Sequence, residues 1–428
     1  MNLNIRARIF WGLDVLRKSP IKKRLYKISK INDGDTYEAY HKAELHLLLK
    51  HAKTTTAYYE NIETLDVLDY PVVNKNIIRD NLALFLSKSF TTKTRKKIFT
   101  SGSTGTPFYV YQDHNKVLHN IADNIYFYSK SGYTIGEKLI YIKIWPDVLK
   151  FKLKLNLFVK NIRPINVYNL EFKDILYHIK KLNSSNNSAS IVSYVSVFKK
   201  MFRYLDKLPH NPITFKPKTI ITISEALTDD IRKQIEAYFK VKPLSRYSNN
   251  ENGIIAQQTV LSGTKFKINH SSYFIEILDL KTDVRLEHGN LGRIILTDLK
   301  NYATPLIRYD TGDIGVMELD AHGVPYLSKV LGRKIDALYD TNGKIVSSHI
   351  AYKLFKYGDF KQLQFVQKTK KEYHVNLNTS EKVDENAIAV EFKNYLGDDA
   401  VIKVNYVDEI PLLSSGKRRQ IVNEYYKD

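Results

Sequence analysis

The run Thr100-Ser101-Gly102-Ser103-Thr104-Gly105-Thr106-Pro107 has the composition of a loop that can hold phosphate oxygens. Hydroxyl residues and two glycines fill all but the last of its eight positions. Glycine lets backbone N–H groups turn toward one point, and each hydroxyl adds a donor to the same concavity. The run is not a Walker loop. It lacks GxxxxGK[ST], and the alternating Phe108-Tyr109-Val110-Tyr111-Gln112 follows where a helix would have to begin. Alone, a Ser/Thr/Gly hairpin is more often a surface turn, so its chemistry depends on what the rest of the chain brings to it.

Several later segments offer complementary groups. Ser224-Glu225-Ala226-Leu227 carries one carboxylate, and Tyr247-Ser248-Asn249-Asn250-Glu251 combines an aromatic ring, two amides and another carboxylate. Arg308-Tyr309-Asp310-Thr311-Gly312-Asp313, Leu331-Gly332-Arg333 and Ile410-Pro411-Leu412-Leu413-Ser414-Ser415-Gly416-Lys417 add acids, a guanidinium and an ammonium. Singly, each of these segments is a weak signal. Each segment also has a plain reading: Asp313 as a turn cap, Ser415-Gly416-Lys417 as an exposed loop.

The elements that would position these groups follow from composition and periodicity. At 428 residues, two domains are expected, and 43% hydrophobic content with 12% aromatic is ample for a core. Zero cysteines exclude disulfides, thiolate catalysis and cysteine-ligated metals. No apolar run approaches the ~20 residues needed to span a bilayer, and no signal peptide is evident, so a cytoplasmic location is expected. The net charge of +21 fits nucleic acid, an anionic membrane surface or an anionic substrate. Lysines are scattered and no zinc-finger or RNA-binding motif occurs, which argues against nucleic acid. Residues 1–30 hold nine Lys/Arg against Asp14 alone, with Ile9, Leu13 and Leu16 at helical spacing. That segment reads as a basic amphipathic helix ending before Pro20, either packed on the main domain or laid on a membrane.

From about 137 to 310, strand-like runs at Leu139–Ile144, Ile191–Val197, Thr219–Ile223, Val241–Tyr247 and Ile294–Leu299 are interspersed with helical stretches. Thr228 is a candidate N-cap, with Asp229 and Asp230 in the first turn. A βαβ pattern places ligands at the strands' C-terminal ends, where Ser224-Glu225 and Tyr247–Glu251 fall. Beyond Arg333, strands at Gln362–Lys368, Glu372–Asn378 and Val401–Val407 with a helix at Glu385–Leu396 predict a small α+β unit. The expected architecture is α/β: a large multi-layer α/β domain over 1–331, a hinge at 332–338, and a small mobile α+β domain over 339–428.

In this order and spacing the segments resemble the adenylate-forming enzymes, the superfamily of acyl-CoA synthetases, luciferases and peptide-synthetase adenylation domains. Within it the chain is most similar to the phenylacetate–CoA ligase branch and its CapK-like members in capsular polysaccharide biosynthesis. The resemblance implies ATP and Mg²⁺ as cofactors and adenylation of a carboxylic acid. Ser101, Gly102, Ser103, Thr104 and Gly105 would hold the β- and γ-phosphates, and Tyr247 would stack on adenine. Asn250 would bond a phosphate oxygen, Glu251 would be the magnesium ligand, Asp313 would accept from the ribose hydroxyls, and Arg333 would lie beside ribose and phosphate. Lys417, on the C-terminal domain, would bridge the substrate carboxylate and the α-phosphate, making Lys417 and Glu251 the catalytic pair. The acceptor implied is a sugar, a lipid-linked sugar or CoA, with CoA making the chain a plain acyl-CoA ligase. A basic, non-catalytic peripheral protein that binds anionic lipid or nucleic acid is the reading of another class, and the inner membrane face is the peripheral location that goes with the lipid.

Three departures from the family pattern stand out. Thr106 replaces the lysine that usually precedes the proline, so the pyrophosphate has one cation fewer. Ile335, followed by Asp336, stands where the hinge usually carries Asp or Lys. Asn249-Asn250 replace small residues before the acid.

Overall fold

The computed structural model describes residues 4–34, 36–100, 108–146, 148–167, 189–333, 337–346, 348–358, 360–411 and 421–425, together with Asp174, Tyr177, His178 and Lys181. Strands β1 (Arg95–Thr100) and β2 (Phe108–Asp113) form an antiparallel hairpin whose last pair is Thr100 with Phe108. The Ser101–Pro107 loop connecting them lies outside the described residues.

The next strands build the main sheet from both ends of the pattern seen in sequence. β3 (Lys138–Lys143), β4 (Ile162–Asn166), β5 (Ala189–Tyr194), β6 (Ile220–Ile223) and β7 (Leu244–Asn249) pair in parallel. Ile191, Ile220 and Ile221 are buried, as expected for strands covered on both faces. β8 (Gly253–Gln258) then turns back on β7. β9 (Phe266–Ile268), β10 (Tyr273–Leu278), β11 (Leu291–Asp298), β12 (Tyr309–Leu319) and β13 (Pro325–Arg333) continue antiparallel. The result is an eleven-stranded sheet in the order β10-β11-β12-β13-β9-β8-β7-β6-β5-β3-β4. The change from parallel to antiparallel pairing falls at β7, so the turn after it opens at a switch in topology.

Helices Val195–Leu205 and Asp229–Phe239 cover the parallel half through Phe198, Phe202, Ile235 and Phe239. Helix Tyr37–Thr55 joins the core over the antiparallel half with Leu48, Leu49 and Ala52. The 17-residue helix His114–Lys130 follows β2 directly, and its Ala122, Tyr126 and Phe127 share a core cluster with Ala7 and Phe10. Among the described residues, no helix is long and apolar enough to cross a membrane.

After the short pair β14 (Leu338–Tyr339) and β15 (Ile345–Val346) comes a second sheet. It contains β16 (Gln362–Gln367), β17 (Glu372–Asn378), β18 (Val401–Tyr406) and β19 (Ile421–Asn423) in the order β18-β17-β16-β19. Helix Glu385–Leu396 seats Ile388, Phe392 and Leu396 against Phe365 and Val375. The mixed α/β class is as expected, but β4, β8, β9, β10, β12 and β13 lie outside the expected strand runs, and three further local differences follow. The strand expected over Ile191–Val197 ends at Tyr194, and a helix starts at Val195. Tyr247 lies within β7 rather than past its end. The N-terminal helix, Ile5–Leu16, buries Ala7, Phe10 and Asp14 and leaves Ile9 and Leu13 exposed.

Candidate active site

The β7–β8 turn sets the site. Asn249 pairs with Gly253, and the Asn249 side chain accepts from the Asn252 N–H at 2.8 Å, closing a tight loop that presents Asn250 and Glu251. Gly253 has φ +110°, and a Cβ there would sit 2.7 Å from Asn120 Oδ1, so this position requires glycine. Glu251 is buried. Its Oε1 accepts from the Tyr309 hydroxyl at 2.8 Å and lies 3.0 Å from Lys75 Nζ.

Both strands flanking the hydroxyl-rich loop are tied to this turn. Gln112 Nε2, near the end of β2, donates to the Glu251 carbonyl at 2.8 Å. Asn250 Nδ2 donates to the Phe99 carbonyl, next to the end of β1, at 3.3 Å. The Phe99 contact lies one residue before the end of β1, whereas Gln112 lies at the far end of β2; Ser101, Gly102, Ser103, Thr104 and Gly105 themselves lie outside the described structure, as do Thr106, Ile335, Asp336 and Lys417.

A second cluster joins β7, β12 and β13. Tyr247 donates its hydroxyl to Asp313 Oδ2 at 2.8 Å and lies 3.2 Å from Thr311 Oγ1. Asp313 and Arg333 are register partners across β12 and β13. Burial pushes the Asp313 carboxyl above its usual range, against the opposing pull of the Tyr247 hydrogen bond, Arg333 and Lys75, while Glu251 adds to the rise. The Tyr247 phenol is pushed well up by its own burial and then by Asp313. Tyr247, Asn250, Glu251, Asp313 and Arg333, the expected site residues that are described, thus converge on one region.

Sequence reasoning missed Lys75. It occupies the first position of helix Lys75–Asp80, whose N-cap Asn74 accepts from Asn76 and Ile77 N–H groups at 2.9 and 3.0 Å. The preceding Val73 is pinned to β12. It donates to the Arg308 carbonyl at 3.1 Å and accepts from Asp310 N–H at 2.8 Å. Arg308 holds this docking with φ +46°, a backbone conformation unusual for a side chain of its size. Its guanidinium forks onto Glu276 at 3.2 Å and donates to the carbonyls of Leu68 and Tyr70 at 3.1 and 3.0 Å. Lys75 carried no motif, whereas Tyr309 lay inside the Arg308–Asp313 run. At the end of β6, Glu225 is occupied by Ser196, accepting from its N–H at 2.6 Å and its hydroxyl at 2.7 Å.

No group of three or more His, Cys, Asp or Glu side chains among the described residues forms a metal cage. Glu251, a buried carboxylate on the turn that bonds the Phe99 carbonyl, fits magnesium, which is commonly held by one or two carboxylates plus substrate phosphates.

The comparisons bear on the identity of this arrangement. Residues 338–424 match the CapK C-terminal domain family. Protein CapK of Staphylococcus aureus is 27% identical over 384 residues, spanning 85% of this chain and 82% of that protein. The chain is a CapK homologue. Phenylacetate-coenzyme A ligase of Pseudomonas putida is 24% identical over 220 residues, 51% of this chain and 45% of that enzyme. In fold, the chain resembles 2-hydroxyisobutyryl-CoA ligase solved in its postadenylation state, with TM-score 0.66 at 15% identity over 89% of this chain and 88% of that one. It also resembles ATP-bound MatB from Rhodopseudomonas palustris, with TM-score 0.52 at 16% identity over 76% and 66% of the respective chains. The fold is that of the adenylate-forming ligases, including a small C-terminal domain.

Proposed function

We propose that the chain is an adenylate-forming ligase. It converts R-COO⁻ and ATP to R-CO-AMP and pyrophosphate, then transfers the acyl group to an acceptor. The observation that carries this reading is the tethering of both loop-flanking strands, through Gln112 and Asn250, to the turn bearing Glu251. A phosphate-binding loop and a magnesium-type carboxylate are useful to each other only when held together.

The substrate carboxylate is itself the nucleophile, so the first step needs no general base. Ser101, Gly102, Ser103, Thr104 and Gly105 donate to the polyphosphate, with the Asn250 amide beside them. Tyr247 lies against the adenine, Asp313 accepts from the ribose, and Arg333 neutralises charge near ribose and phosphate. Magnesium, held by Glu251, would supply charge neutralisation at the phosphates. Lys75, paired with Glu251, adds an ammonium where Thr106 leaves the loop without one. Lys417 bridges the acid and the α-phosphate as charge builds in the transition state. The unit over 339–428 brings Lys417 in by closing about the hinge at 332–338 on the unit over 1–331.

The acceptor is a sugar or lipid-linked sugar in polysaccharide assembly, in keeping with the CapK relative. The sequence likeness to phenylacetate-coenzyme A ligase favours CoA as the second reading. The test is acid-dependent pyrophosphate release across a panel of carboxylic acids, followed by addition of CoA. Release with one acid and no thioester on CoA addition supports the sugar acceptor. Thioester formation selects the second reading, and no release with any acid or nucleotide affinity at all overturns both. Lys417→Ala should suppress adenylation by several orders of magnitude while leaving ATP affinity within a few-fold, because the contact forms on closure.

A further inference from the structure

The N-terminal helix Ile5–Leu16 points an apolar stripe outward. Its packed side carries Ala7, Phe10 and Asp14, while Ile5, Ile9, Leu13 and Leu16 on the opposite side are 74, 47, 42 and 82% exposed. Helix Phe151–Val159 repeats the pattern. It buries Leu157 and leaves Phe151, Leu155 and Phe158 at 81, 52 and 66% exposure. The two helices adjoin: the Arg6 guanidinium stacks over the Phe158 ring at 4.4 Å and donates to the Phe158 carbonyl. Scattered apolar side chains on a surface are ordinary, but two adjoining helices with outward apolar stripes are a patch.

Charge surrounds that patch. Residues 5–24 and 148–163 together contain twelve Lys and Arg and a single acid, Asp14. Asp14 is already engaged, accepting from the Ile21 and Lys22 N–H groups at 3.0 Å each as the next helix begins. Between helix Phe151–Val159 and the strands β3 and β4, with Arg6 of the N-terminal helix at its edge, opens a cavity of about 370 Å³ in which Arg6, Lys138, Lys154 and Arg163 surround an apolar wall that includes Leu157 and Phe158. No acidic residue lines it.

We propose that these two helices form a docking face for an anionic phospholipid surface, the stripes entering the interface and the cavity receiving a lipid phosphate. Amphipathic helices with Lys and Arg flanking an aliphatic and aromatic face lie in the plane of a bilayer in this way. Basic side chains near anionic lipid add binding that salt screens. A second copy of the chain is a poor occupant, because an isologous contact would press Arg6, Lys154 and Arg163 and their basic neighbours against themselves. Nucleic acid would satisfy the charge, yet Ile5, Leu13 and Leu16 gain nothing against a phosphate backbone.

The full chain should co-sediment with vesicles containing equal parts phosphatidylglycerol and phosphatidylcholine at low salt. It should release at high salt and ignore phosphatidylcholine alone. Leu16→Ser with Phe151→Ser removes two side chains that are more than four-fifths exposed, so folding should be kept, as a thermal melt would confirm. That double change, and separately Arg6→Gln with Arg163→Gln, should each weaken vesicle binding about tenfold or more. Equal binding to both vesicle types overturns the proposal, as does unchanged binding by both folded double variants. Retention by RNA or DNA with no vesicle binding also overturns it, as does a dimer that the serine variants dissolve. If the arginine variant does not fold, the serine variant decides alone.

Discussion

Lys75 and Asp313 are the residues on which the nucleotide reading can be tested most directly. The Lys75 side chain is more than a third exposed while that of its partner Glu251 is buried, so the lysine end of the pair is the one able to meet a polyphosphate. Lys75→Gln should weaken ATP and pyrophosphate binding about ten- to hundredfold, the worth of a charge-assisted hydrogen bond, and leave AMP within a few-fold. Calorimetric titration of the three ligands distinguishes this from a purely structural pair, whose loss would weaken all of them alike. Asp313 gives a pH signature. Its carboxyl is raised by burial, so it takes up a proton before ordinary carboxylates do as pH falls. Adenosine and AMP affinity should therefore decline on acidification from above the usual carboxylate range, and Asp313→Asn should give a weak but flat profile. Tyr247, Glu251 and Asp313 were legible because each sits in a short run of chemically unusual neighbours. Lys75 was not, because its meaning depends on the docking of Val73 onto β12, a long-range pairing that no local pattern announces.

At the scale of elements, the turn that presents Glu251 rests on a buried polar network. Lys116, fully buried, contacts Asp298 Oδ2 at 2.7 Å and the Tyr273 hydroxyl at 3.0 Å, and Tyr273 donates to the Asn252 carbonyl at 2.6 Å. Removing the ammonium takes the direct ion pair from Asp298 and one of the cations near Asp123, another being Lys300. Lys116→Met should cost about 3–5 kcal/mol in urea unfolding, with Lys116→Met plus Asp298→Asn recovering part of it. Asp123, whose hydrogen bond comes from Ser272 Oγ at 2.8 Å, is pushed up to about 6, chiefly by burial. Its folded value exceeds its unfolded one. Its contribution is therefore fully present below about 4 and is lost as pH rises through about 6. Asp123→Asn should flatten the stability profile across that window.

The parallel strands β3, β5, β6 and β7 were readable, since buried parallel strands are apolar runs of the right length, whereas β8, β9, β10, β12 and β13 of the antiparallel half were not. Where Val195 and Val197 prolonged the β-type pattern, the helix that starts at Val195 won through the packing of Phe198 and Phe202. The N-terminal helix was legible as amphipathic, but periodicity alone cannot say whether its richer apolar stripe faces the core. Here Phe10 faces inward and Ile9 and Leu13 face outward.

For the whole molecule, the division into a large and a small unit is the feature most open to a simple experiment. If the small unit closes about the segment 332–338, limited proteolysis should cut there in the free protein, and ATP with the correct acid should protect it. Equal cleavage under both conditions would argue against closure at this place. The small unit's β16, β17 and β18 and the parallel strands β3, β5, β6 and β7 were legible from their own patterns, whereas most of the antiparallel half and the eleven-strand order were not, since β9 inserts between β8 and β13 through contacts distant in the chain.

The helix His114–Lys130 has a consequence for reach. One end emerges from β2 at Gln112, which is bound to the Glu251 turn, and toward the other end Tyr126 and Phe127 share a cluster with Phe10 of the outward-facing N-terminal helix. At 1.5 Å per residue that stretch is a rigid strut of roughly 20 Å. A molecule riding in the bilayer would then meet the reaction only if its head group extends about that far, so the strut would act as a ruler, sorting acceptors by length before any pocket reads their chemistry.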